Sequence, residues 1–108
     1  MYTLKEGSVV KGFSLRVKER SLFLSRWNEV PPDKSKLHGE YCNVRNAISE
    51  ILNSQGPAKL NTTNKLIASL LNDGFRLESN PEGLCLVKNN GSNLLELIVF
   101  IDKVSSNP

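Results

Sequence analysis

Little in this chain is equipped for covalent chemistry. Its 108 residues include a single histidine and two cysteines, so any nucleophile and base pair would have to be built around His38. Cys42 and Cys85 are too few for a disulfide framework or a structural zinc site, which leaves free, buried thiols as the expectation. No apolar run reaches the roughly 18 residues that would cross a bilayer. Lys5, Lys11, Arg16 and Lys18 interrupt whatever apolar signal segment the N-terminus could offer. These absences predict a cytoplasmic chain with no membrane segment. At 39% hydrophobic and 23% charged residues, the composition excludes disorder and fibrous repeats, and the length suits one domain with one core.

Charge is present but uneven. Residues 1 to 45 hold nine Lys or Arg against five Asp or Glu, whereas residues 46 to 108 hold five against six. The basic surplus therefore lies in the first half. It is compatible with an acidic partner, protein or nucleic acid, but is too small for a basic arm.

The strongest local signal is Asn90-Gly91 between two apolar runs, the dipeptide that a two-residue type I′ turn prefers. Counting back from it pairs Lys88 with Asn93, Val87 with Leu94, Leu86 with Leu95, Cys85 with Glu96 and Leu84 with Leu97. From Leu94 to Ile101, seven of eight residues are apolar, a pattern that fits a central strand covered on both faces. A second copy of the chain could supply that second cover, so a homodimer is among the expectations.

Upstream, Met1 to Ser8 reads as a lead-in. Phe13, Leu15 and Val17 then alternate with Ser14, Arg16 and Lys18, and Leu22 and Leu24 alternate with Phe23 and Ser25. A hairpin turning at Glu19-Arg20 would set Val17 against Leu22, Leu15 against Leu24 and Arg16 against Phe23. Glu-Arg is a poor primed turn, however, and a slip would exchange the faces. Residues 28 to 41, with Pro31-Pro32 and Gly39, read as a long flexible loop.

Asn43 is placed to cap a helix with Val44, Ala47, Ile48, Ile51 and Leu52 on one face, ended by Gly56 and Pro57. A second helix would be capped by Asn61 or Thr62, carry Leu66, Ile67, Leu70 and Leu71 as its stripe, and stop at Gly74. Phe75 to Glu78 opens a third strand segment, and Ser79 to Gly83 is a turn cluster before the final hairpin. Residues 104 to 108 read as a frayed tail. The order is ββααβββ: one α+β domain over residues 1 to 108, an antiparallel sheet of two hairpin units with a helical pair between them, in two layers.

No cluster of acids, nucleophiles or ligands emerges, so no catalytic residue, cofactor site or metal site is assigned. His38 and Cys42 are the only Cys/His neighbours, and His38, Glu40 and Cys42 lack a fourth ligand. A helix at 64 to 72 followed by a hairpin has the order of a winged helix, but Lys65 is its only cation. The one chemically specific arrangement is Arg16, Lys18, Arg20, Phe23, Arg26 and Trp27. Aromatic rings beside cations could stack bases and neutralise phosphates, each base worth about 1 to 3 kcal/mol; the same rings could equally be core. The residues thus predict a small non-enzymatic protein that binds a protein partner, as adaptor, regulator or inhibitor. DNA or RNA binding through the basic and aromatic face of the first hairpin is the alternative.

Overall fold

The computed structural model describes residues 3–21 and 26–102. Its elements are strands β1 (Val9–Arg20) and β2 (Trp27–Val30), a short 3-10 turn (Pro32–Lys34), helices α1 (His38–Leu52) and α2 (Pro57–Asn72), and strands β3 (Arg76–Glu78), β4 (Gly83–Asn90) and β5 (Asn93–Asp102). This is the ββααβββ order expected for an α+β domain. The strands form one antiparallel sheet in the order β2-β1-β5-β4-β3. Its centre is therefore the pairing of β1 with β5, strands from opposite ends of the chain.

Both helices lie on one face of that sheet. Val17 from β1, Leu84 and Leu86 from β4, and Leu95, Leu97 and Val99 from β5 form one core cluster with Val44 and Ile48 of α1 and Ile67 and Leu70 of α2. Phe13 and Leu15 pack against this cluster, so the apolar stripe of β1 faces inward as its alternation predicts. The apolar helical stripes explain the docking: helices this short gain most of their stability from a buried face. Residues 3–8 are more than a lead-in, because Leu4 is in the core and its N–H donates to Asn64 Oδ1 at 2.8 Å.

The helix boundaries differ from the expected ones, and the capping chemistry says why. α1 begins at His38, five residues before Asn43. Leu37 is buried at its entrance, with its N–H held by Ser35 Oγ at 3.0 Å, and Tyr41 packs on the core. Burial of those two residues draws the helix back past the polar side chain that could have capped it. α2 begins at Pro57, where the missing N–H costs nothing and the fixed φ suits a first helical residue. Gly56, with φ +60°, turns the chain into α2 instead of closing α1, which already ends at Leu52. Thr62 and Thr63 lie inside α2 and bond back to the carbonyls of Ala58 and Lys59, the interior alternative to capping for a hydroxyl. The other end is as expected. Gly74 has φ +102°, its N–H reaches Leu71 O, and the Phe75 N–H reaches Leu70 O at 3.0 Å. That is a Schellman motif, and it drops Phe75 into the core ahead of β3.

Two strand registers also differ. β1 runs through Glu19 and Arg20, and β2 pairs Val17 with Val30 and Arg20 with Trp27, so the tight turn at Glu19-Arg20 does not form. Glu-Arg supplies neither of the positive φ values that a primed turn needs. Leu22, Phe23, Leu24 and Ser25 lie outside the described residues, as does the tail from 103. The expected loop at 28 to 41 instead contributes most of β2, the 3-10 turn and the first turn of α1. In the second hairpin Asn90 pairs with Asn93 and Leu86 with Leu97, two residues from the predicted register. The loop is Gly91-Ser92, with φ +64° at Gly91 and no positive φ at any described non-glycine residue, the type II′ pattern. A shift of two leaves every side chain on its predicted face.

Candidate functional site

The outer face of the sheet collects most of the basic and aromatic residues singled out above. Because side chains alternate along β1, Ser14, Arg16, Lys18 and Arg20 all lie opposite to Leu15 and Val17, away from the helices. Trp27 joins them through its direct pairing with Arg20. Arg26 is exposed at the entrance to β2. Phe23 lies outside the described residues.

These cations are not a bare positive patch. Lys18 Nζ is 3.2 Å from Glu96 of β5, with both side chains largely withdrawn from solvent at 23% and 15% exposure. Arg16 reaches Glu29 of β2 at 3.8 Å, both well exposed. The pairs are diagonal across the ladders, since Arg16 sits directly opposite Glu96 and Lys18 opposite Glu29. Screening leaves an exposed pair such as Arg16 with Glu29 worth well under about 1 kcal/mol, whereas a partly desolvated pair is screened less. Arg20 lies over the Trp27 ring, 5.3 Å from its centroid, a contact worth about 0.5 to 1 kcal/mol at a surface.

Beneath the charges is a second, smaller apolar cluster: Cys85, Val87 and Leu94, with Trp27 and Ile98 packed on it. No helical residue belongs to it. Burial pushes the Cys85 thiol above its ordinary value near 9.0, and the charges of Glu96 and Glu78 push it further, against a smaller opposing effect of Lys18. That thiol stays protonated at neutral pH and acts as a small apolar side chain. Trp27 is thus half core and half surface. It packs on the cluster while a guanidinium occupies its ring.

The same strand carries a feature that the sequence reading missed. β1 pairs with β5 from Val9 to Glu19, but β2 covers its other side only from Val17 to Arg20. Among the described residues no strand lies beside β1 from Val9 to Arg16 on that side. The Arg20 N–H donates to Ser92 O at 2.9 Å, toward the β4–β5 hairpin, which fixes the phase. Main-chain groups of Ser14, Arg16 and Lys18 face β5 likewise, and those of Phe13 and Leu15 face the open side. A bulge between Val10 and Gly12 bends the strand. At that end Val9 and Val10 border a cleft of about 740 Å3 that Leu4, Pro57 and Leu60 also line. A signal for the open edge was in the sequence. Pro31 and Pro32 stop β2 after four residues, while the alternation of β1 runs much longer.

His38 and Cys42 meet on α1, with Nε2 of one 3.4 Å from Sγ of the other, remote in sequence from the sheet residues above. No group of three or more potential metal ligands gathers among the described residues, and none of the described helices is long and apolar enough to cross a membrane. No protein-family model matches the chain, and no curated protein or solved structure resembles it at a significant level.

Proposed function

We propose that the protein is a non-enzymatic binding module whose partner is another protein, captured as an extended segment added to the open edge of β1. The observation that carries this reading is the mismatch between a strand of 12 residues and a neighbour of four. An exposed edge presents unpaired N–H and C=O groups that another extended chain can satisfy, and this is a recurrent mode of peptide recognition. The outward main-chain groups of Phe13 and Leu15 would supply the bonds. Apolar residues of the incoming strand would continue the inner stripe of Phe13 and Leu15, and acidic residues on its other face would meet Arg16, whose bond to Glu29 is long and exposed.

The test is an NMR titration with a synthetic eight-residue peptide of alternating valine and glutamate. Saturable shifts centred on the Phe13 and Leu15 amides, abolished when alternate peptide amides are N-methylated, are the expected result. Shifts confined to other elements, or none, refute the edge. Sedimentation velocity of the protein alone tells whether a second copy takes that place.

Nucleic-acid binding is the second reading. The juxtaposition of Arg20, Arg26 and Trp27 favours it, and the intervening acids Glu29 and Glu96 oppose it. Quenching of the single tryptophan by mixed-sequence single-stranded DNA or RNA, weakening with salt, would establish it. In that case Arg16→Ala with Lys18→Ala flattens the salt dependence.

A further inference from the structure

The two cysteines occupy opposite environments, and only one is built to react. Cys85 is buried between β3 and β5, with Glu78 and Glu96 disfavouring its thiolate. Cys42 is partly exposed on the second turn of α1, and its sulfur lies 3.4 Å from His38 Nε2, a base on the helix surface. Its other helical neighbours, three and four positions away, are Gly39, Arg45 and Asn46; none is acidic. Glu40, on the same turn, is held 3.4 Å from Lys88 of β4, and the Arg45 guanidinium lies over the Tyr41 ring. Within four positions of Cys42 on its own helix the basic or charged side chains are thus His38, Glu40 and Arg45, and the Glu40–Lys88 pair joins this helix to the sheet. Gly39 keeps the approach clear, because even a β-carbon built there would meet nothing within 4 Å.

We propose that Cys42 is a modification site: a thiol that forms mixed disulfides with small disulfide molecules, with His38 as the base that activates it. His38 Nε2 takes the thiol proton, and the Cys42 sulfur attacks one sulfur of the incoming disulfide. The S–S bond breaks, and the second sulfur leaves as a thiolate that takes up a proton. The incoming disulfide is the oxidant: one molecule is consumed, one small thiol is released, and Cys42 ends in a new S–S bond. A nucleophile with a base within reach of its sulfur is the arrangement this exchange needs. None of this depends on what the sheet edge binds.

The experiment is reaction of the intact protein with 5,5′-dithiobis(2-nitrobenzoate) from acid to alkaline pH, followed by peptide mapping. The expected result is one equivalent of released thiol from the native protein, mapped to Cys42, with Cys85 reacting only in denaturant. At neutral pH Cys42 should react faster than an isolated cysteine peptide does. His38→Gln, an exposed substitution, should slow the reaction severalfold at neutral pH, because the base beside the sulfur is gone. Incubation with oxidised glutathione should yield a mixed disulfide at Cys42 that is absent in Cys42→Ser. A native Cys42 that reacts no faster than the peptide, or a His38→Gln profile superimposable on that of the unsubstituted protein, overturns the proposal.

Discussion

The two faces of β5 are one residue apart along the chain and are held by different physics. Leu95, Leu97 and Val99 have no exposure beneath the helices. On the opposite side Leu94 is buried, but Glu96, Ile98 and Phe100 are only half-buried, and the order there comes from Lys18 against Glu96 and Arg20 over Trp27. Dispersion and water exclusion hold the inner face, at a cost for every methylene removed. The outer face is held by a thin apolar cluster under a lattice of charges, each worth little alone. The inner face therefore sets stability, and the outer face is free to carry specificity.

The sharpest break in that comparison is truncation on each side of the strand. Leu97→Ala should cost about 3 to 5 kcal/mol and Ile98→Ala about 1 to 2 kcal/mol, measured by urea unfolding; equal losses would mean the outer cluster is as tightly packed as the core. Gly83→Ala strains the β5 backbone that both faces share. Gly83 lies opposite Phe100, and a β-carbon there would collide with the Val99 carbonyl. A loss of about 1 to 3 kcal/mol is expected, accompanied by faster amide exchange at the Gly83–Phe100 end of the β4–β5 ladder.

Within the charge lattice the half-buried pair should outrank the exposed one. Lys18→Met leaves Glu96 without its partner and should cost about 1 to 2 kcal/mol, whereas Arg16→Ala should change stability by less than about 0.5 kcal/mol. Thermal unfolding of both variants tests that ranking.

The smallest effect is a dependence on alkaline pH. The Cys85 thiol is harder to ionise in the folded chain than in the unfolded one. Its contribution is therefore complete below the ordinary thiol value near 9.0 and declines as the pH rises from there through the raised folded value. Chemical denaturation across that range should show stability falling in the unsubstituted protein and a flatter profile in Cys85→Ala.

The parts of the fold that could be read in advance rest on periodicity. Phe13, Leu15 and Val17, or Leu95, Leu97 and Val99, belong to one face whatever the register, which is why a two-residue error at the Gly91-Ser92 turn displaced no side chain from its side. Boundaries were less legible because they were decided by burial elsewhere. Leu37 and Tyr41 pull α1 back past Asn43, and Pro57 opens α2 where it reads equally well as a stop. The candidate site was legible as a set of cations on one side of β1. Its neutralisation by Glu29 and Glu96 was not, since those acids arrive from β2 and β5 by pairings that no local pattern specifies. The open edge was missed for a related reason: it follows from the relative lengths of two strands, and Pro31-Pro32 reads as part of a loop until β2 is known to end at Val30 beside Val17.

The pairing of β1 with β5 also dictates a sequence of events in time. The β4–β5 hairpin closes across two residues and can form by itself in microseconds. The central ladder, however, must bring Val9 to Asp102 and so close a loop that spans nearly the whole described chain. Until that closure β1 has only the four-residue β2 to pair with, at Val17–Arg20, and its apolar stripe has nothing to cover it. Folding should be limited by the arrival of β1, with α1, α2 and the β4–β5 hairpin forming a platform that waits for it. The strand offered to a partner along one side in the finished protein is the last to be secured along the other.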